Sequence, residues 1–183
     1  MKNAAFLVLL ALALAVSSCG TRTPTTTVET TTSGSWEAQL IGGTEQASLL
    51  NFVTQFTLTN VNGVSEPITV TGFAFINAES CFVSAENEAG TASLNSNSSN
   101  QVTGSMTYTI TSGSPAGNVL TLTTSPSGGI SGTSTGAPGT ILTLSNGVVW
   151  GNWTLTGPCT SGLTQPVQGT FIMCQNAPTC TVP

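Results

Sequence analysis

Between Val102 and Ile110 the chain alternates strictly, and that alternation constrains the fold more than any other feature. Val102, Gly104, Met106, Tyr108 and Ile110 fall on one side, with Thr103, Ser105, Thr107, Thr109 and Thr111 on the other. A period of two is the side-chain period of an extended strand. A strand apolar on one side and hydroxyl-bearing on the other belongs to an antiparallel sheet with one buried face. The same alternation returns in Trp36-Ala38-Leu40, Phe52-Thr54-Phe56-Leu58, Ile68-Val70-Gly72-Ala74-Ile76 and Leu142-Leu144. It appears again in Val149-Gly151-Trp153-Leu155 and Val167-Gly169-Phe171-Met173, with weaker strands over residues 118–124 and 129–135. No amphipathic helical stretch of useful length interrupts them. From Trp36 to Pro183 the chain reads as a single all-β domain.

The turn signals place neighbours in sequence next to each other in space. Asn146-Gly147 lies between two alternating runs and predicts a hairpin, as does Asn62-Gly63. Ser112-Gly113-Ser114-Pro115, Ser127-Gly128-Gly129 and Gly136-Ala137-Pro138-Gly139 punctuate the rest, and Ser84 to Asn100 reads as one long polar connection. The result is an antiparallel meander of about eight to ten strands, either an up-and-down, lipocalin-like barrel or a β-sandwich. A recurring aliphatic-x-Gly pattern favours the barrel: Val70-Thr71-Gly72, Val102-Thr103-Gly104, Ile130-Ser131-Gly132 and Val167-Gln168-Gly169. Each Gly shares the inward face with the aliphatic residue before it, where missing side chains let a sheet curve toward closure. The alternative is a set of ordinary bulges.

Met1-Lys2-Asn3 is followed by thirteen unbroken apolar residues, Ala4 to Val16, and then by Ser17-Ser18-Cys19-Gly20. Thirteen residues are too few to span a bilayer, which takes about 20, but suit the core of a secretory signal. The order resembles the signal peptide of a bacterial lipoprotein, with Val16-Ser17-Ser18-Cys19 as the lipobox. The resemblance implies that residues 1–18 are removed, that Cys19 carries fatty acyl chains such as palmitate, and that the membrane is reached through those chains. Because Gly20 is not an acidic retention residue, it further implies the outer membrane, on its periplasmic or surface side. Residues 19–35 continue as a Thr/Ser-rich tether. Its sixteen residues from Gly20 to Ser35 have a flexible-chain reach of about 20–24 Å. The body resembles small β-rich bacterial lipoproteins only in outline.

Charged residues make up 5% of the chain, against roughly 25% in ordinary soluble domains. The acids are seven Glu, the cations are Lys2 and Arg22, and there is no His. Nucleic acid is excluded as a partner, since neutralising phosphates takes several cations. Attraction to anionic lipid heads fails for the same reason.

With Cys19 assigned to lipid, Cys81, Cys159, Cys174 and Cys180 remain. In an exported chain they imply two disulfides with three possible connectivities. The most economical is Cys81–Cys159 with Cys174–Cys180. Without His or a CxxC spacing, a metal site has no ligand set, and no cofactor motif occurs.

Catalytic chemistry finds little to work with. Lacking His, the chain cannot build a Ser-His-Asp arrangement, and no serine sits in a GxSxG elbow. Glu79, Glu86 and Glu88 are the only candidates for paired-carboxylate glycoside hydrolysis, and Ala85 to Gly90 reads as an exposed, solvated loop. The expectation is a non-enzymatic protein. Among the tryptophans, Trp153 shares the inward face with Val149 and Leu155, whereas Trp150 falls on the outer face, placed to stack on a ring or meet a surface partner. The leading expectation is an envelope lipoprotein whose β domain binds something or serves structurally. The alternative is a carrier of a small apolar ligand in the barrel interior, contacted by Phe52, Phe56, Met106 and Tyr108.

Overall fold

The computed structural model describes residues 35–42, 45–59, 63–77, 81–83, 86–135, 141–162, 167–176 and 179–183. The strands in chain order are β1 (Ser35–Ile41), β2 (Phe52–Thr59), β3 (Ser65–Phe75), β4 (Glu86–Ser96) and β5 (Gln101–Ser112). They continue as β6 (Val119–Thr123), β7 (Gly129–Thr135), β8 (Ile141–Thr156) and β9 (Val167–Gln175). Short 3₁₀ turns occupy Glu45–Leu50 and Pro158–Thr160. All of these pairings are antiparallel, β1 through β5 pair in sequence, and β9 pairs back onto β1 from Trp36↔Gln175 to Ile41↔Thr170. The ladder therefore closes. A sandwich has no such return pairing, so the fold is an up-and-down barrel.

Nine strands fill eight positions in its wall. β6 pairs with the Thr107–Thr111 half of β5, and β7 with the Gln101–Gly104 half. On their other side both pair with β8, Thr123 opposite Asn152 and Gly129 opposite Trp150. They are two pieces of one strand, interrupted over residues 124–128, where the Thr124 amide still donates to the Met106 carbonyl of β5 at 3.0 Å. Beyond the start of β1, β2 reaches β8 directly through Leu58↔Leu142 and Thr59↔Ile141, drawing that end together.

Two bulges correct the simple alternation. On β3 the register shifts beside Gln55 and Phe56, so Thr71 is an extra residue and the inward set changes from Ile68 and Val70 to Phe73 and Phe75. Gly72 and Ala74, expected inward, give way to the larger phenylalanines. On β8, Asn146-Gly147 forms no hairpin: the strand runs through, and these two residues oppose Gly132 alone. Asn146 takes a left-handed φ of 53°, the conformation that such a bulge and a tight hairpin both require. The inward set passes from Leu144 to Val149, Trp153 and Leu155. Gly147 is needed for a second reason, since a Cβ there would lie 2.3 Å from Cη2 of Trp36.

The interior holds a chain of touching aromatic rings. Trp36 stacks on Phe56 at 5.3 Å, Phe56 meets Tyr108 at 6.2 Å, and Tyr108 stacks on Phe52 at 5.9 Å. Phe52 continues to Phe73, Phe75 and Phe82 at successive centroid distances of 5.1, 5.1 and 5.2 Å. Offset and edge contacts of this kind add to the apolar area they bury.

Both expected disulfides form, Cys81–Cys159 and Cys174–Cys180, with Cα separations of 5.7 and 5.9 Å. Asn118, fully buried, ties the two ends of the first together. Its Nδ2 donates to the Cys81 carbonyl at 2.8 Å, and its Oδ1 accepts from the Cys159 amide at 2.9 Å.

Candidate functional site

Because the bulge on β8 turns Val149, Gly151 and Trp153 inward, Trp150 must face out. Its cross-strand neighbours are Gly129 on β7 and Ile172 on β9, and Ile172 in turn faces Gln39 on β1. The indole lies over Gly129: a Cβ there would sit in ordinary van der Waals contact, 3.4 Å, with ring atoms Cζ2 and Cη2 of Trp150. The ring is therefore half-buried against the wall. In the next row Asn152, Thr170 and Ile41 face one another, and Asn152 Nδ2 donates to Ser127 Oγ at 3.1 Å.

Ile172 and Cys174 both face outward, yet they are only 6% and 3% exposed. The Cys174–Cys180 bond holds the segment Thr179–Pro183 at β9, and its residues Cys180, Thr181 and Val182 line one groove with Ile172 and Trp150. Together the wall and this segment line an open groove of about 430 Å³, within the range of small-molecule sites. Trp150, Ile172 and Ile41 form its apolar side, Val182 stands on the segment side, and Gln39, Ser127, Thr170 and Thr181 supply polar groups. No lining side chain is ionisable. Such a site suits a neutral ligand with a flat apolar face, because it offers ring stacking and hydrogen bonds but no counter-charge.

The other candidates lie elsewhere. Phe52, Phe56, Met106 and Tyr108 are buried core residues, and the three aromatic faces are occupied by one another. The Tyr108 hydroxyl bonds that of Thr54 at 2.9 Å. Burial holds its phenol well above the ordinary range; the Thr54 bond opposes it, and the nearby Glu88 charge adds a smaller rise.

Glu86 and Glu88 are not on a loop. They open β4, on the face shared with Ser112 and Ile110, and are half-buried. Pairing between β3 and β4 ends at Ile68↔Gly90, so the two carboxyls line a seam where these strands part. Burial raises the pKa of both, backbone hydrogen bonds oppose it, and Glu86 adds to the rise at Glu88. Glu79 lies outside the described residues, as do Cys19, the leader and residues 19–34 of the tether. Among the described residues no three His, Cys, Asp or Glu side chains come together as a metal site would require.

Comparison of the chain with known protein families, curated proteins and solved structures finds no match. The site must speak through its own chemistry.

Sequence reasoning placed Trp150 but missed Ile41, Ile172 and Val182. The available signal was the pair of large apolar residues, Trp150 and Ile172, on faces otherwise given to small or polar side chains.

Proposed function

We propose that the protein is a non-catalytic, lipid-anchored module of the bacterial envelope whose barrel holds a small neutral ligand in its outer groove. The observation that carries the binding half is the half-buried Trp150, laid over Gly129 beside a groove without ionisable side chains. The anchoring half rests on the lipobox residues Val16-Ser17-Ser18-Cys19, with the tether giving the barrel clearance from the lipid heads.

Tryptophan emission tests the binding half. Trp36 and Trp153 are 1% and 0% exposed, so a ligand in the groove acts on Trp150. Titration with a panel of neutral sugars and neutral aromatic compounds should change the emission for at least one class, and Trp150→Ala should abolish the change. A wild-type protein indifferent to the whole panel, or a Trp150→Ala protein responding as wild type does, refutes the reading. For the anchor, Cys19→Ser should move the folded protein from the membrane to the soluble fraction. Retention in the membrane would overturn it.

A further inference from the structure

We infer that the segment Thr179–Pro183 is a working wall of the ligand groove, with Val182 as a ligand contact and the Cys174–Cys180 disulfide as the bond that positions it. The inference rests on the groove reading above and assigns this segment a role beyond bracing the fold.

Three observations lead there. Ile172 and Cys174 face outward from a closed barrel, yet are almost fully buried: Cys174 is bonded to Cys180, and Ile172 sits between Trp150 and Gln39 at the groove. The segment beside them is not a strand: residues 179–183 carry no regular structure and join no ladder of the sheet. Their position therefore depends on the covalent link at Cys180, which itself lines the groove with Thr181 and Val182.

The second disulfide has a different character. Cys81–Cys159 joins residues 78 apart in sequence and is embedded with Asn118, whereas Cys174–Cys180 spans a separation of only 6. A short link constrains the unfolded chain least, but it brings Val182 into the lining of the same groove as Trp150 and Ile41. Val182 is 52% exposed and Ile41 55%. Two large apolar side chains left half in water at one groove are suited to be covered by an apolar ligand. A neutral ring would lie with one face on the Trp150 side and the other toward Val182.

The test uses N-phenyl-1-naphthylamine, a neutral apolar fluorophore with a naphthyl and a phenyl group, titrated into the purified protein and followed by its own emission. Wild type should bind it and Trp150→Ala should not. Val182→Asp, which keeps both disulfides, should weaken binding at least about tenfold, since a carboxylate there must give up water when the probe enters. The paired change Cys174→Ala/Cys180→Ser should weaken it similarly while near-ultraviolet circular dichroism still reports a packed aromatic core. If Val182→Asp binds as tightly as wild type, the segment is no wall and the inference is overturned, while the groove reading stands. If Trp150→Ala binds as wild type does, or wild type binds no probe, the groove reading itself falls. Loss of binding in the cysteine pair alone also counts against the inference, because Val182→Asp isolates the segment from the barrel.

Discussion

Removing the Cys81–Cys159 bond should destabilise the barrel in a way that separates cross-link from hydrogen bonds. The two cysteines are 78 residues apart, and loop entropy for that span amounts to about 4.5 kcal/mol in the unfolded chain. Asn118 holds the same two backbone segments in the folded state through bonds of 2.8 and 2.9 Å. At about 1 kcal/mol net for each buried bond, Asn118→Ala should cost roughly 2 kcal/mol. One effect acts on the unfolded chain and the other on the folded one, so they should add. Urea unfolding of wild type, Cys81→Ala/Cys159→Ala, Asn118→Ala and the triple variant measures all three quantities. The cysteine pair should also steepen the denaturant dependence, since the freed unfolded chain exposes more surface, whereas Asn118→Ala should leave the slope alone. A cysteine-pair loss below about 1 kcal/mol with an unchanged slope would refute the loop-entropy reasoning. So would a non-additivity beyond about 1 kcal/mol, which would mean that the two devices hold one detachable unit.

Three further outcomes are expected. Gly147→Ala drives a methyl into the Trp36 ring, 2.3 Å away, and should cost about 1–3 kcal/mol by chemical denaturation; combining it with Trp36→Leu should recover part of that loss. Glu88→Gln should raise the melting temperature at pH 7, because the folded state raises the carboxyl pKa through burial and stability falls as pH rises through that raised value; below the unfolded value, about pH 4, the two proteins should melt alike. Tyr108→Phe keeps the ring contacts but loses the bond to Thr54, whose hydroxyl still donates to the Gly72 carbonyl, so the cost should be near 1 kcal/mol, read from the urea midpoint.

Much of the fold was legible because antiparallel sheets write their burial into alternate residues. Val102 to Ile110, Val149 to Leu155 and Val167 to Met173 all keep the inward sets their alternation implies. Closure was not legible residue by residue, since the β9–β1 ladder is long-range pairing that leaves no local mark. β4 escaped notice for a different reason. Two of its inward positions are Glu86 and Glu88, and at Gly90 a Cβ would meet Ile68 at 2.9 Å and Tyr108 at 3.1 Å. Neighbouring side chains fill the space at Gly90, and only Ala92 and Leu94 carry apolar burial on β4, so the strand reads as polar. Asn146-Gly147 misled through its conformation: a left-handed residue serves a bulge as well as a turn, and only the partner strand tells them apart. At the groove, Trp150 was visible as an apolar residue on a polar face, but the contribution of Val182 depends on where Cys180 is bonded.

Closure of the ladder also bears on how this composition is tolerated. Sheet proteins commonly protect their outermost strands with lysines, whose charge discourages a second chain from adding on. This chain has two cations, Lys2 and Arg22, and both precede the barrel. Its strands can be built from Thr, Ser, Val and Gly without that protection because β1 and β9 satisfy each other and leave no outermost strand. Away from the seam where β3 and β4 part, neighbouring copies would present hydroxyls to one another rather than unpaired backbone. Here the topology does the work that charge does in open sheets, which is why so little charge is needed.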